Sequence, residues 1–218
     1  MISLQNIQKS FGPDAVALRK IDIEIEQGEA VAILGKSGSG KTTLMDILGT
    51  LSRPTGGTYL LNGECVNRLG DRRLSSLRRT TFGYIFQAFN LVNDWTVKKN
   101  LILAMRYSRK PGDAELQKAL DSINLGDKLN ARVNTLSGGE QQRVAILRTT
   151  MRNPEIILAD EPTGNLDPVN ADLVMSLLFK LREGGRTLIM ITHSNELASR
   201  FPRLVRLEKG VVVSGGTK

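Results

Sequence analysis

Gly35-Lys36-Ser37-Gly38-Ser39-Gly40-Lys41-Thr42 decides how this chain is read. It fits G-x-x-x-x-G-K-[ST], the spacing of a phosphate-binding loop. Before it, Ala30 to Leu34 is a short apolar run that suits a strand buried on both faces. After it, Thr43 to Leu48 reads as a helix with one apolar face. Glycines let successive backbone N–H groups turn inward around an anion, because no Cβ blocks the turn. The helix that starts there adds the positive end of its dipole. Lys41 can bring a full charge to the β- and γ-phosphates, and Thr42 can place its hydroxyl on Mg²⁺. The candidate nucleotide contacts are Gly35, Ser37, Gly38, Ser39, Gly40, Lys41, Thr42 and Thr43.

A second stretch, Ile156-Ile157-Leu158-Ala159-Asp160-Glu161, is an apolar run that ends in two acids. A buried parallel strand would present them at its C-terminal end, where open α/β sheets bind ligands. Asp160 suits a Mg²⁺ shell. Glu161 is placed to act as general base on an attacking water. Read without the loop, the pair could also be a solvated acidic turn before Pro162.

The elements around these stretches set the expected fold. Met1 to Ile7 alternates like a first strand. Ile21, Ile23 and Ile25 alternate with acids, as in a half-exposed antiparallel strand. Thr58 to Leu61 and Phe82 to Phe86 read as further strands. From about Ala88 to Met151 the pattern turns helical, with helices expected over Thr96 to Tyr107 and Ala114 to Ile123. Strand signals return at Ile156 to Ala159 and at Thr187 to Ile191, with a helix from about Asn170 to Arg182 between them. The expected class is α/β: a phosphate-loop NTPase core with a mainly parallel sheet, an N-terminal antiparallel β subdomain and an inserted helical lobe. One domain is expected over 1–218, with 1–87 and 152–218 as the core and 88–151 as the lobe.

Composition narrows the setting. No uninterrupted apolar stretch approaches the ~18 residues of a spanning helix, and the N-terminus lacks the pattern of a signal peptide. Cys65 is the only cysteine, so no intrachain disulfide is expected and a reducing compartment fits. The net charge of +8 suits nucleotide, nucleic acid or an anionic membrane face. The densest basic patch is Arg68, Arg72, Arg73, Arg78 and Arg79, either a solvated helical face or a binding surface. Few aromatics interleave with it, which weighs against base stacking.

Leu136-Ser137-Gly138-Gly139-Glu140-Gln141-Gln142-Arg143 resembles the signature of ATP-binding cassette ATPases. Ser137, Gly138 and Gly139 would open a helix and expose N–H groups to a phosphate. Ser137 could equally be an N-cap, with Glu140 closing a capping box. The resemblance spans essentially the whole chain, with the motifs in family order. It implies that Gln87 is the Q-loop glutamine, contacting Mg²⁺ or the attacking water. It implies that Asp167, in Asn165-Leu166-Asp167, belongs to the interface-crossing D-loop, and that His193 is the switch histidine at the γ-phosphate. Phe11 matches the aromatic that stacks on adenine, although one ring near a terminus also suits a packed core.

Phe86-Gln87-Ala88-Phe89-Asn90-Leu91, Ser52-Arg53-Pro54-Thr55-Gly56-Gly57 and Leu158 to Asp167 look like the macrolide-export and lipoprotein-release branch. That branch implies a subunit using ATP and Mg²⁺, two copies closing head-to-tail, and a separate permease with four membrane helices per chain. It implies a place at the cytoplasmic face of the membrane and export or extraction of a peptide, drug, haem or lipoprotein. Cell-division relatives instead transmit force or signal across the membrane. A nucleic-acid-associated ATPase is a further alternative, but no tandem cassette or coiled-coil insertion accompanies the basic charge, and no direct nucleic-acid partner is expected. Phe11 stands where many members have Tyr, and Glu140 where this branch often has Gln. Ala145-Ile146-Leu147-Arg148-Thr149-Thr150 replaces the usual Ala-Arg-Ala run, and the catalytic set is intact.

Overall fold

The computed structural model describes residues 1–12, 14–106 and 109–215. In chain order the elements open with β1 (Ile2–Ser10), β2 (Val16–Ile25), β3 (Ala30–Leu34), α1 (Lys41–Leu48), β4 (Gly56–Leu61) and β5 (Glu64–Cys65). They continue with α2 (Asp71–Thr80), β6 (Phe82–Ile85), α3 (Val97–Ala104), α4 (Asp113–Asp121), α5 (Gly138–Thr150) and β7 (Ile156–Asp160). The last are α6 (Pro168–Glu183), β8 (Thr187–Thr192), α7 (Asn195–Ser199), β9 (Arg203–Glu208) and β10 (Val211–Ser214).

The apolar runs form the centre of a six-stranded sheet of order β10-β9-β3-β8-β7-β6. β3 is buried at every residue and lies parallel to both β8 and β9, while β7 runs parallel to β8. A four-stranded sheet, β2-β1-β4-β5, is antiparallel throughout. In β2, Ile21, Ile23 and Ile25 point inward as their alternation requires. Both sheets contribute to one apolar core, which includes Ile7, Ile33, Leu44, Tyr59 and Val205.

The chain divides into two compact units. The first is Met1–Tyr84, Glu155–Glu161 and Arg182–Lys218; the second is Ile85–Pro154 and Pro162–Leu181. The second unit has its own core, with Val97 and Leu101 from α3, Leu116 and Leu120 from α4, and Val144 and Leu147 from α5. It takes in Pro162–Leu181, which the sequence reading assigned to the ATP-binding core rather than to the 88–151 lobe. The reason is polar as well as apolar. Gln142 is fully buried on α5 and donates Nε2 to the Pro162 carbonyl at 2.6 Å, and Leu177 packs on the second core.

Other boundaries moved slightly. The helix expected over Thr96 to Tyr107 is α3, with Thr96 as its N-cap accepting from Lys99 N–H at 3.2 Å; Tyr107 lies outside the described residues. The strand expected to reach Phe86 ends at Ile85. Of the basic patch, Arg72, Arg73, Arg78 and Arg79 lie on α2, where Arg73 pairs with Glu64 at 2.9 Å and Arg78 donates to the Thr50 carbonyl at 2.9 Å.

Candidate functional site

In the first unit, the glycine loop joins β3 to α1. Gly40 is the N-cap of α1 at φ 102°, a left-handed conformation natural to glycine, and an added Cβ would meet the Ala17 carbonyl oxygen at 2.6 Å. No side chain caps the helix. The first-turn N–H groups of Lys41, Thr42 and Thr43 therefore offer the positive end of α1 without a protein anion. Lys41, only 9% exposed, donates Nζ to the carbonyls of Gly35 at 2.8 Å and Lys36 at 3.0 Å, so the loop is already curled around the ammonium. Ser39 Oγ is buried without a partner, and its carbonyl accepts from Gly210 N–H at 3.0 Å. A cradle with spare N–H groups, a buried cation and an orphaned hydroxyl fits a phosphate chain.

The two acids stand at the C-terminal end of β7, as expected of an open sheet. Burial raises the Asp160 carboxyl above the usual range; neighbouring Glu161 and Asp46 push it further, against Lys41. Glu161 takes a left-handed backbone, φ 46°, and its N–H donates to the Ile191 carbonyl at 3.0 Å. Its side chain is 15% exposed, with Oε1 at 2.8 Å from His193 Nδ1 and Oε2 accepting from Thr192 Oγ1 at 3.3 Å. His193, 69% exposed, lies between β8 and α7, so its ring is held by the carboxylate rather than by packing. Among the described residues no group of three His, Cys, Asp or Glu side chains could hold a metal. The Thr42 hydroxyl and the Asp160 carboxylate are hard oxygen donors, the kind Mg²⁺ takes in ones and twos beside substrate phosphates. Phe11 is 66% exposed with the Lys9 ammonium 5.0 Å from its ring centre, so it is no core aromatic.

In the second unit, Ser137 is the N-cap of α5. Its Oγ accepts from Glu140 N–H at 3.3 Å, and its N–H donates to Glu140 Oε2 at 2.7 Å, so the capping box is present. Gly138 has room around it, whereas a Cβ on Gly139 would fall 2.1 Å from Asn170 Oδ1. Gln87 is exposed and trades two hydrogen bonds with Asn165: Gln87 Nε2 to Asn165 Oδ1, and Asn165 Nδ2 to the Gln87 carbonyl, both 3.3 Å. Asp167 accepts from Asn170 N–H at 3.0 Å and from Asn170 Nδ2 at 2.6 Å, which caps α6. The Asn170 side chain first, then its backbone, hold the Asp167 carboxyl below the usual range.

The structure thus brings Lys41, Asp160, Glu161 and His193 together with the loop in one unit, and Ser137, Gly139, Gln87 and Asp167 in the other. Residues the sequence reading passed over are Asp46, Thr192 and Asn170. Of these, only Asn170 carries a local signal: it lies three residues after a capping acid, the spacing of a helix N-terminus.

The family described as "ABC transporter" matches residues 18–164. The macrolide export ATP-binding/permease protein MacB of Brucella melitensis is 45% identical over 224 residues, covering 100% of this chain and 35% of that protein. The chain therefore spans about a third of the length of that relative. YknY of Bacillus subtilis, described as an uncharacterized ABC transporter ATP-binding protein, is 41% identical over 98% of this chain and 95% of its own length. The dimeric post-hydrolysis structure of the ATP-binding cassette MJ0796, bound to ADP and Pi, superposes with a TM-score of 0.87 at 36% identity, covering 98% of this chain and 97% of that one. The chain belongs to the ABC transporter family, as an ATP-binding cassette.

Proposed function

We propose that the chain is the ATP-hydrolysing cassette of an exporter. Two copies close head-to-tail over two ATP molecules, and each site joins the loop and acids of one copy to Ser137, Gly138 and Gly139 of the other. The observation that carries the hydrolytic reading is the meeting, within one unit, of an uncapped helix start, a buried Lys41 and a Glu161 carboxylate aimed by His193 and Thr192. The pairing is supported by the dimeric state of the similar cassette MJ0796, and export by the name of the MacB relative.

ATP binds with its phosphates on the loop N–H groups and Lys41, and with adenine against Phe11. Thr42 and Asp160 would hold Mg²⁺, which would supply charge neutralisation on the phosphates. Water attacks the γ-phosphate in line, and Glu161 takes its proton. His193 keeps the Glu161 carboxylate oriented and reaches the γ-phosphate. Lys41 and the N–H groups stabilise the charge that builds on the transferred oxygens.

The membrane partner is a permease of the four-helix kind, which holds the cassette at the cytoplasmic face. Its docking surface is the segment 88–96. Support comes from how firmly that segment is held: fully buried Asn100 accepts from Val92 N–H at 2.8 Å and donates to the carbonyls of Val92 and Thr96 at 3.1 Å, leaving Val92, Asp94 and Trp95 exposed.

Glu161→Gln tests the chemistry. It removes the base and keeps the shape, so kcat should fall about 100-fold or more while ATP stays bound. Unchanged steady-state ATPase activity would sink the assignment. Charge reversal at Asp94 should impair assembly with the permease and spare ATP binding; normal assembly would remove the docking claim.

A further inference from the structure

We infer that Asn170 is a positioning residue for ATP hydrolysis: it ties the Asp167 carboxylate to the signature helix α5, so that both reach the partner copy's nucleotide as one piece. The inference rests on the head-to-tail pairing proposed above.

Asp167 is exposed, so packing does not aim it. Asn170 does. Its backbone N–H holds one carboxylate oxygen at 3.0 Å and its Nδ2 holds the other at 2.6 Å. Its Oδ1 accepts from Arg143 Nη1 at 3.1 Å, and Arg143 stands on α5 one turn beyond Gly139. The amide orientation follows from chemistry alone: a carboxylate can only accept and a guanidinium can only donate, so Nδ2 must face Asp167 and Oδ1 must face Arg143. A third contact is steric. A Cβ on Gly139 would lie 2.8 Å from Asn170 Cβ and 2.1 Å from Oδ1, so the second signature glycine is also the seat for this side chain. One residue therefore touches the D-loop acid, the signature helix and a signature glycine, all within the second unit.

Two substitutions separate the bonds. Asn170→Ala keeps the backbone N–H on Asp167, hence the helix cap, and removes both side-chain bonds. Asn170→Asp keeps an acceptor for Arg143 but sets a second carboxylate against Asp167. Steady-state ATPase kcat and KM are measured for both, with ATP affinity of the monomer by calorimetry and ATP-driven dimerisation in a Glu161→Gln background. Expected for Asn170→Ala is a fall in kcat of about tenfold or more, since two hydrogen bonds to charged groups are lost, with weaker dimerisation and monomer affinity within about twofold. Asn170→Asp should lose at least as much. A residue that only stabilised the fold would lower melting temperature without splitting kcat from monomer affinity. Wild-type kcat in Asn170→Ala, or recovery in Asn170→Asp, overturns the inference. If the Glu161→Gln parent itself shows no ATP-driven dimer, the pairing fails and the inference falls with it, a result distinct from a parent that pairs and an Asn170 variant that pairs equally well.

Discussion

Helices α1 and α5 both begin in glycine-rich loops, yet their first turns are finished in opposite ways. α1 has glycine at its N-cap, no side-chain cap and a buried ammonium beside it. α5 has a serine cap, a closed capping box and, through Glu140, a carboxylate of its own on the helix N-terminus. A helix start attracts anions because its N–H groups are unsatisfied and its dipole is positive there. The first therefore waits for an external anion, whereas the second already carries one. The lesson is that a glycine-rich helix start does not by itself make a primary phosphate site. What the cap does with the orphan N–H groups decides whether the helix binds alone or only completes a site built elsewhere.

The sharpest way to break the comparison is Lys41→Ala. If α1 is the primary site, the substitution should weaken ATP binding by about 10- to 100-fold, the scale of hydrogen bonds to a charged group. Equal affinity by calorimetry would mean the nucleotide is held elsewhere.

Asp160→Asn probes the same side from its acidic wall. It should lower Mg²⁺-dependent turnover by about tenfold or more, as changes around a metal do. In nucleotide-free buffer it should also raise the melting temperature, by about 1–2 °C once solvent screening is allowed for. The sign follows from the raised carboxyl, which burial first and then Glu161 and Asp46 hold above 3.8. The fold favours the protonated form, so that stability is fully present below the ordinary value and is lost as pH rises through the raised one. The wild type should accordingly lose its deficit relative to Asp160→Asn at low pH. A variant that melts lower at neutral pH would show that the carboxylate is satisfied without a cation.

Much of this was legible because it is local. The loop, the β7 acids and the signature are contiguous strings whose spacing carries the chemistry, and β3, β7 and β8 are apolar runs. β9 was not legible, although it lies directly beside β3: Arg203, Arg206 and Glu208 interrupt its apolar residues, and Arg203 is held by a pair to Glu29 at 3.0 Å that no local pattern announces. The roles of Asp46, Thr192 and Asn170 were hidden for the same reason, since each depends on a partner set by the fold. Phe11 was ambiguous between stacking and core until its exposure removed the core reading. The capping box at Ser137 was legible, but what it does to the charge at α5 was not, because Glu140 could have turned to solvent.

That charge gives the finest test of the comparison. Glu140→Gln keeps the box, since Gln can accept the Ser137 N–H as Glu does, and it removes one negative charge from the helix start. No ion pair of Glu140 is found among the described residues, and Lys128, within its electrostatic reach, is paired with Asp127 at 2.9 Å. The carboxylate should therefore oppose a γ-phosphate arriving from a partner copy. Its removal should favour closure by about threefold per site, and about tenfold in the dimer constant because two sites close together. Monomer affinity should not change, because that depends on α1. The gain should shrink in high salt, since Ser137 is exposed and Glu140 only partly buried, so the field there is screened. The measurement is ATP-driven dimerisation of the Glu161→Gln protein with and without Glu140→Gln, at low and high ionic strength. Identical dimer constants at low salt would show that the two helix starts differ in cap chemistry but not in the field a phosphate meets.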